Sequence, residues 1–507
     1  MIIYLHKYLG IILLVTLCVI ALINYDKYGL SWDENEQRKT GIVSAEYVFS
    51  NNQLLLKWGN RDYGVAFELP LIIIERALNL KDSRSIFLTR HIVTHLFFLV
   101  SAFFCFLLIE FLYKNKLLAT IGFLLIILHP RLYAHSFFNT KDIPFMSMFL
   151  ICLYFNAVAF RKKQNKYFIL LGIGVGLLIN LRIMGVLLFS LILFFLMIDT
   201  LKEIMYKENV KLGLIFISTT IATLYLSWPF LWSNPIENFV FAFNNIAKFR
   251  WGGSVLFNGQ FVKGTELSWD YVPIWFTITT PIFYLIAGLS GLILLVFYFF
   301  KKPSIYLSNS KQRNNLFFLI CFLSPVVVVI LIHSVLYDGW RQLYFIYPSF
   351  VLLCIYGLNV LYEKYDKMVV IVSFISFIVI GIYMINNHPF QRIYFNELVD
   401  TKSPEYLRKH FELDYWGTSY KQSLEYILKY DHSPSINVSV QNSPGEDNRK
   451  ILTFKERKRI KFVKRQKATY FITNYRGHPQ DYVDLKQMEW HSIKVGNNTI
   501  NTIFKLK

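Results

Sequence analysis

Residues 5–34 read LHKYLGIILLVTLCVIALINYDKYGLSWDE, an apolar run of membrane-crossing length followed a few residues later by the acidic pair Asp33-Glu34. A hydrocarbon core of about 30 Å takes roughly 20 consecutive apolar residues in a helix. His6 and Lys7 precede the run and no small-residue cleavage site precedes Asp26, so the segment reads as an uncleaved anchor. Ser31-Trp32-Asp33-Glu34 then sits at the lip of a bilayer, where a carboxylate can accept a proton from an incoming hydroxyl.

The composition extends that reading to the whole chain. Of 507 residues, 54% are hydrophobic, 18% aromatic and only 17% charged, with a mean hydropathy of +0.40, which is too apolar for a soluble enzyme of this size. The formal charge of +20 does not indicate nucleic acid, because much of the Lys and Arg falls in short loops between apolar runs. Cys18, Cys105, Cys152, Cys321 and Cys354 all lie inside apolar segments, which implies neither a disulfide nor a zinc site.

Spans are expected near residues 5–24, 87–112, 142–160, 210–229, 274–300, 315–336, 342–362 and 367–385. A short run at 116–129 and a long one at 166–199, split at Arg182, bring the total to about eleven transmembrane helices. With the N-terminus in the cytoplasm, the cytoplasmic loops become Tyr113–Lys116, Arg161–Lys166, Lys202–Lys211, Lys301–Arg313 and Glu363–Lys367, each short and rich in Lys or Arg. The opposite face receives the 25–86 loop, Pro130–Lys141, the turn at Arg182, the 230–272 loop, Tyr337–Arg341 and everything after about 387. All ten tryptophans lie in or beside that outer face, as an interfacial belt or as a platform for sugars.

After residue 387 the chain turns polar. Strand-like stretches at Ile436–Val440, Thr469–Thr473 and Thr499–Lys505 and a helix at Gln422–Lys429 predict a small extracytoplasmic α/β domain, 387–507, beside a transmembrane domain, 1–386. The basic run Lys455–Lys467 reads as a solvated or headgroup-facing helix.

The charged residues of the outer face gather at a few places: Asp33 and Glu34 after span one, Arg131 and Lys141-Asp142 between spans three and four, Arg182, and Arg341. Transfer of a sugar from a lipid phosphate needs a base for the attacking hydroxyl and cations for the departing phosphate. Each residue also has a plainer reading. Asp33-Glu34 can cap a helix starting near Asn35, Asp142 can cap span four before Pro144, and Arg131 and Lys141 can reach to headgroups. Arg182 inside an apolar stretch costs about 2.5–3.5 kcal/mol at the bilayer centre, so it marks a turn or a buried partner. Arg341 at a helix start is poorly placed unless an anion pairs with it. His91 and His95, four apart, form a metal pair or, more simply, a polar packing face.

Taken together, Trp32-Asp33-Glu34, Arg90-His91, His129-Pro130-Arg131, Asn139-Thr140-Lys141-Asp142-Ile143-Pro144 and Arg341 through Pro348 resemble the polyprenyl- or dolichyl-phosphate-dependent glycosyltransferases of the GT-C class. The resemblance is to glycosyltransferase family 39, the protein O-mannosyltransferase and aminoarabinose-transferase-like group. In the tail, His388-Pro389-Phe390, Tyr394-Phe395-Asn396-Glu397-Leu398 and Phe411-Glu412-Leu413-Asp414-Tyr415-Trp416-Gly417 look like a bacterial subgroup. The resemblance implies a GT-C fold and an extracytoplasmic active site with Asp33 as catalytic base and Glu34 beside it. It implies that Asp142 and His91 shape the acceptor site and that Arg131, Lys141, Arg182 and Arg341 bind the donor phosphate. It further implies inversion at the anomeric carbon and no required metal, although a divalent ion is compatible; the setting of Arg182 departs from the family pattern.

The expected protein is thus an integral glycosyltransferase of the plasma membrane, using a polyprenyl-phosphate sugar donor and a glycan, glycolipid or protein acceptor. The rival reading is a non-catalytic lipid-linked-sugar flippase, which calls for polar residues spread through the depth of the bundle. A membrane scaffold that binds partners through its tail is the third.

Overall fold

A computed structural model of the protein describes residues 2–202, 206–247 and 251–507. Residues 203–205 of the expected Lys202–Lys211 loop and 248–250 of the expected 230–272 loop lie outside the described residues.

The N-terminal apolar run forms α1 (Ile2–Asn24). The 25–86 loop is itself built of helix, α2 (Glu34–Ser50) and α3 (Glu68–Ala77), before the long α4 (Ser83–Tyr113). Next come α5 (Lys116–Ile127) and α6 (Pro130–Phe138), bent by 62° to one another. Pro130 cannot extend the preceding helix but suits the first position of the next, and His129 caps it by accepting from the Leu132 amide. Then follow α7 (Asp142–Lys162), α8 (Asn165–Leu181), α9 (Val186–Lys202) and α10 (Tyr206–Ser227). Arg182 is the extended residue at which α8 ends, at φ −152° and ψ 132°.

The second half holds α11 (Pro235–Ala247), a hairpin of β1 (Ser254–Phe257) and β2 (Gln260–Lys263), α12 (Tyr271–Thr279), α13 (Ile282–Lys301), α14 (Pro303–Ser308), α15 (Ser310–Leu331) and α16 (Tyr347–Asn386). The expected span 274–300 is broken at Pro281, because the residue before a proline avoids the helical region and Thr280 is extended. The expected spans 342–362 and 367–385 fall on the two halves of α16, which meet at Tyr365, where the backbone is not helical (φ −136°, ψ 52°).

Among the described residues, seven segments are long and apolar enough to cross a membrane, or eight if α5 and α6 form one bent span. Length and composition therefore do not return the eleven expected. Asn165–Leu181 is too short to qualify, α1 enters that count only over Leu9–Asn24, and α16 counts once.

The tail divides by packing. Tyr394, Phe395, Phe411, Tyr415 and Trp416 join the apolar core of the bundle. From Tyr420 a second core forms, in which the helix Tyr420–Tyr430 lays Leu424 and Ile427 on a five-stranded sheet. Its strands are β3 (Ile436–Val440), β4 (Ile460–Phe462), β5 (Tyr470–Thr473), β6 (Glu489–Val495) and β7 (Asn498–Lys505), in the order β4-β3-β5-β7-β6. β4 and β5 run parallel to β3, and β7 is antiparallel to both β5 and β6.

Strands β4 and β6 were not anticipated, and the basic run Lys455–Lys467 is not one helix. A helix at Phe454–Arg459, closed by a Thr453/Glu456 capping box, gives way to β4, where Ile460 turns into the core. The tryptophans differ from the expectation as well. Trp228, Trp275, Trp340 and Trp416 are at most 2% exposed, so these four are core residues and neither belt nor platform.

Candidate active site

The turn before α2 separates the acidic pair. Asp33 occupies the N-cap position but makes no side-chain cap bond, and its side chain keeps 37% of its surface. Glu34 instead folds back into the protein, where Oε2 accepts from the Ser31 amide at 2.7 Å and Oε1 lies 2.9 Å from His91 Nε2. Ser31 Oγ donates to the Phe138 carbonyl at 3.2 Å. Glu34 and His91 thus pin the turn from α4 while Asp33 is displayed.

Opposite Asp33 stands Arg341, 2% exposed. Its Nη1 lies 3.6 Å from Asp33 Oδ2 and 3.1 Å from Asp142 Oδ2, and its Nη2 lies 3.2 Å from Asp338 Oδ2. The guanidinium is stacked over the rings of Tyr337 and Trp416, 4.7 and 4.5 Å from their centroids. The anion that the position of Arg341 calls for is therefore a set of three carboxylates. Asp142, at the start of α7, also pairs with Arg182. Asn139 shapes this corner, its Oδ1 accepting from the Lys141 and Asp142 amides and its Nδ2 donating to Asp142 Oδ2 at 2.9 Å.

Lys141 and Arg182 lead from this cluster into a cavity of about 300 Å³. Asp62, Tyr63 and Gln342 add polar atoms at the same end, while Leu187, Val328, Val329 and Ile332 line an apolar remainder. Lys141 Nζ sits 3.4 Å from the centroid of the Tyr63 ring. Burial, and then the neighbouring Arg182, push the Lys141 ammonium well below the usual lysine range. Burial and repulsion from Arg341 bring Arg182 down to about 10. Arg182 shares Asp142 with Arg341, and Lys141 makes no ion pair among the described residues.

Among the residues expected at the site, Asp33, Lys141, Asp142, Arg182 and Arg341 converge, with Glu34 and His91 directly behind. Arg131 does not join them. It is buried where the tail meets the bundle, its Nε donating to the Tyr394 carbonyl at 2.9 Å and its guanidinium lying over Phe395 and Trp275. His95 is also separate, bonded to Ser136 Oγ at 2.7 Å and stacked on Phe137. Among the described residues, no group of three or more His, Cys, Asp or Glu side chains is arranged to hold a metal ion.

Three members of the cluster were not singled out in the sequence: Asp62, Asp338 and Arg476. Arg476 comes from the tail, its Nη2 2.8 Å from Asp338 Oδ1, its Nη1 donating to the Tyr415 carbonyl and its guanidinium over the Trp32 ring at 4.9 Å. Asp338 had a local signal, since Asp338-Gly339 forms a left-handed turn just before Arg341. Arg476 had none.

Residues 77–228 match the family model for dolichyl-phosphate-mannose-protein mannosyltransferases. The fold is similar to the oligosaccharyltransferase of Archaeoglobus fulgidus in its apo form, with 11% identity and a TM-score of 0.53, over 91% of this chain and 65% of that one. It is also similar to the archaeal oligosaccharyltransferase AglB from Archaeoglobus fulgidus in complex with an inhibitory peptide and a dolichol-phosphate, with 11% identity and a TM-score of 0.50, over 93% of this chain and 70% of that one. A match with ArnT from Cupriavidus metallidurans bound to undecaprenyl phosphate covers 98% of both chains at 12% identity and a TM-score of 0.47. No curated protein sequence matches the chain. The chain spans somewhat less than two thirds of the first of these oligosaccharyltransferases. The chain thus shares its fold with these oligosaccharyltransferases, and its residues 77–228 match the dolichyl-phosphate-mannose-protein mannosyltransferase family.

Proposed function

We propose that the protein transfers a sugar from a polyprenyl-phosphate donor to a hydroxyl acceptor at the outer face of the plasma membrane, with inversion. One observation carries the reading: a cavity whose head holds Lys141 and Arg182 and whose walls are aliphatic adjoins the displayed carboxylate of Asp33 through Asp142 and Arg341. A lipid phosphate has that division, an anion on an apolar tail. The dolichol-phosphate of the AglB complex is a ligand of the same chemical kind.

In this reading Asp33 takes the proton of the acceptor hydroxyl as its oxygen attacks the anomeric carbon from the face opposite the phosphate. The bond from the anomeric carbon to the phosphate oxygen breaks, and the polyprenyl phosphate leaves with the electron pair, held by Lys141 and Arg182. Arg341 holds Asp33 in place, and Glu34 with His91 fixes the turn that displays it. Arg131 belongs to the joint between bundle and tail. The N-terminus lies in the cytoplasm, as the basic short loops require, and residues 387–507 lie outside. The acceptor is a cell-envelope glycan, a glycolipid or a protein hydroxyl.

The test is transfer from a panel of labelled polyprenyl-phosphate sugars by wild type and Asp33→Asn protein in nanodiscs, with membrane extract as acceptor. Transfer by wild type alone supports the reading. Full activity of a folded Asp33→Asn protein refutes the assignment of the base, and labelled lipid crossing the bilayer equally in both proteins moves the protein to the flippase class.

A further inference from the structure

The tail does not merely cover the outer face; it grips the segment that carries Asp33 on both sides. Asn448 Oδ1 accepts from the Leu30 amide at 2.8 Å and its Nδ2 donates to the Leu30 carbonyl at 3.0 Å. The Trp32 amide donates to the Trp416 carbonyl at 3.1 Å, and Lys450 Nζ donates to Asn35 Oδ1 at 3.0 Å. The approach is close enough to require a glycine, since a Cβ on Gly29 would stand 2.1 Å from the Thr418 carbonyl oxygen. From the same surface Arg476 reaches Asp338 at 2.8 Å, Asp338 reaches Arg341 at 3.2 Å, and Arg341 reaches Asp33 at 3.6 Å.

We infer that Arg476 of the tail is a positioning residue for the transfer reaction: through Asp338 it holds Arg341, and through Arg341 it orients the carboxylate of Asp33. The inference rests on the reading of Asp33 as the base. The geometry supplies the reason for a relay. Asp338 is 4% exposed and lies between two guanidinium groups. Without Arg476 it has Arg341 alone, and a buried carboxylate draws its remaining cation toward itself. Arg341 then moves away from Asp33, the longest and most exposed of its contacts. Neither Arg476 nor Asp338 lines the lipid-phosphate cavity, so the relay makes no direct contact with the donor.

The test compares wild type, Arg476→Ala and Arg476→Lys as full chains in nanodiscs, with two readouts. The first is transfer kinetics with whichever polyprenyl-phosphate sugar the wild type accepts. Arg476→Ala lowers kcat on the order of 100-fold with the donor KM unchanged, the signature of lost orientation, and Arg476→Lys recovers most of the rate because it keeps the charge. The second is amide hydrogen exchange, which needs no substrate. Exchange over residues 28–37 speeds up in Arg476→Ala, returns toward wild type in Arg476→Lys and stays unchanged in the β3–β7 sheet.

Wild-type kcat in Arg476→Ala overturns the inference, as does an equal fall in both variants with faster exchange through the whole tail, which is loss of docking and not of the relay. If the wild type transfers no sugar, the glycosyltransferase reading fails on its own, and exchange still decides the relay: faster over 28–37 alone supports it, and unchanged exchange overturns it.

Discussion

Two arginine–carboxylate clusters lie on either side of the turn at Asp33, built from the same side chains to different ends. In the first, Arg90 is 0% exposed, pairs with Glu68 through one terminal nitrogen and with Glu75 through the other at 3.2 Å, and Glu75 also binds Arg38 at 2.9 Å. Glu68 accepts from Thr140 Oγ1 at 2.6 Å, so the cluster ties α3 to α4 and to the corner before α7. In the second, Arg341 and Arg182 share Asp142, Lys141 has no carboxylate within bonding distance among the described residues, and Asp33 keeps a third of its surface. The closed cluster has matched each charge and so can only hold. The open one leaves Lys141 unpaired at a cavity and Asp33 partly exposed, where ligand and proton can reach them.

That contrast breaks if the wrong cluster governs the wrong property. Asp33→Asn has the largest expected effect, a fall in transfer rate on the order of 10²–10⁴-fold with thermal unfolding unchanged. Arg90→Met should do the reverse. Buried Glu68 loses its cation and Glu75 keeps Arg38 alone, which costs about 3–5 kcal/mol of stability, read as earlier unfolding in detergent, while the folded fraction keeps its kcat. A large loss of stability in Asp33→Asn, or a selective loss of kcat in Arg90→Met, would invert the assignment.

The next effect sharpens the open side. Lys141 loses its proton well below the usual lysine range, owing to burial and to Arg182, and an arriving phosphate restores the proton. Binding of a polyprenyl phosphate therefore takes up a proton and weakens as pH rises through the depressed range of Lys141. Lys141→Met should lower affinity about tenfold and flatten that dependence, measured by calorimetry in two buffers of different ionisation heat.

The smallest effect concerns the tail beside the relay. Burial lifts the Glu412 carboxyl to about 8, with Arg476 opposing and Asp338 adding to the shift. The folded state then holds a proton that the unfolded state has released above its ordinary value near 4.5, so stability declines as pH rises from there to about 8. Glu412→Gln should remove that slope from a series of melting temperatures; an unchanged slope places its origin elsewhere.

Much of this was legible in the sequence where periodicity or cost sets the answer. Apolar runs announced the bundle, strand-like stretches announced β3, β5 and β7, the cost of a cation in an apolar stretch announced that Arg182 marks a turn or a buried partner, and its place at a helix start announced an anion beside Arg341. What stayed hidden lies in pairing across the chain. Nothing near residue 476 shows that it meets Asp338, and nothing near Arg131 shows that it stacks on Phe395 and not beside a phosphate. Short strands failed for a different reason, since β4 is three residues inside a basic run and is a strand only because β3 is next to it. The Trp residues misled because four of them pack as core at the very end of the bundle where a belt is expected.

The grip of the tail on residues 29–35 has a consequence for the order of synthesis. The carboxylate of Asp33 is synthesised well before the groups that brace it, Trp416, Asn448, Lys450 and Arg476. A chain that lacks residues 416–476 therefore carries its acidic turn unbraced, and the arrangement appears only when the tail has folded onto it. Folding of the tail onto this turn is in this sense the step that assembles the arrangement.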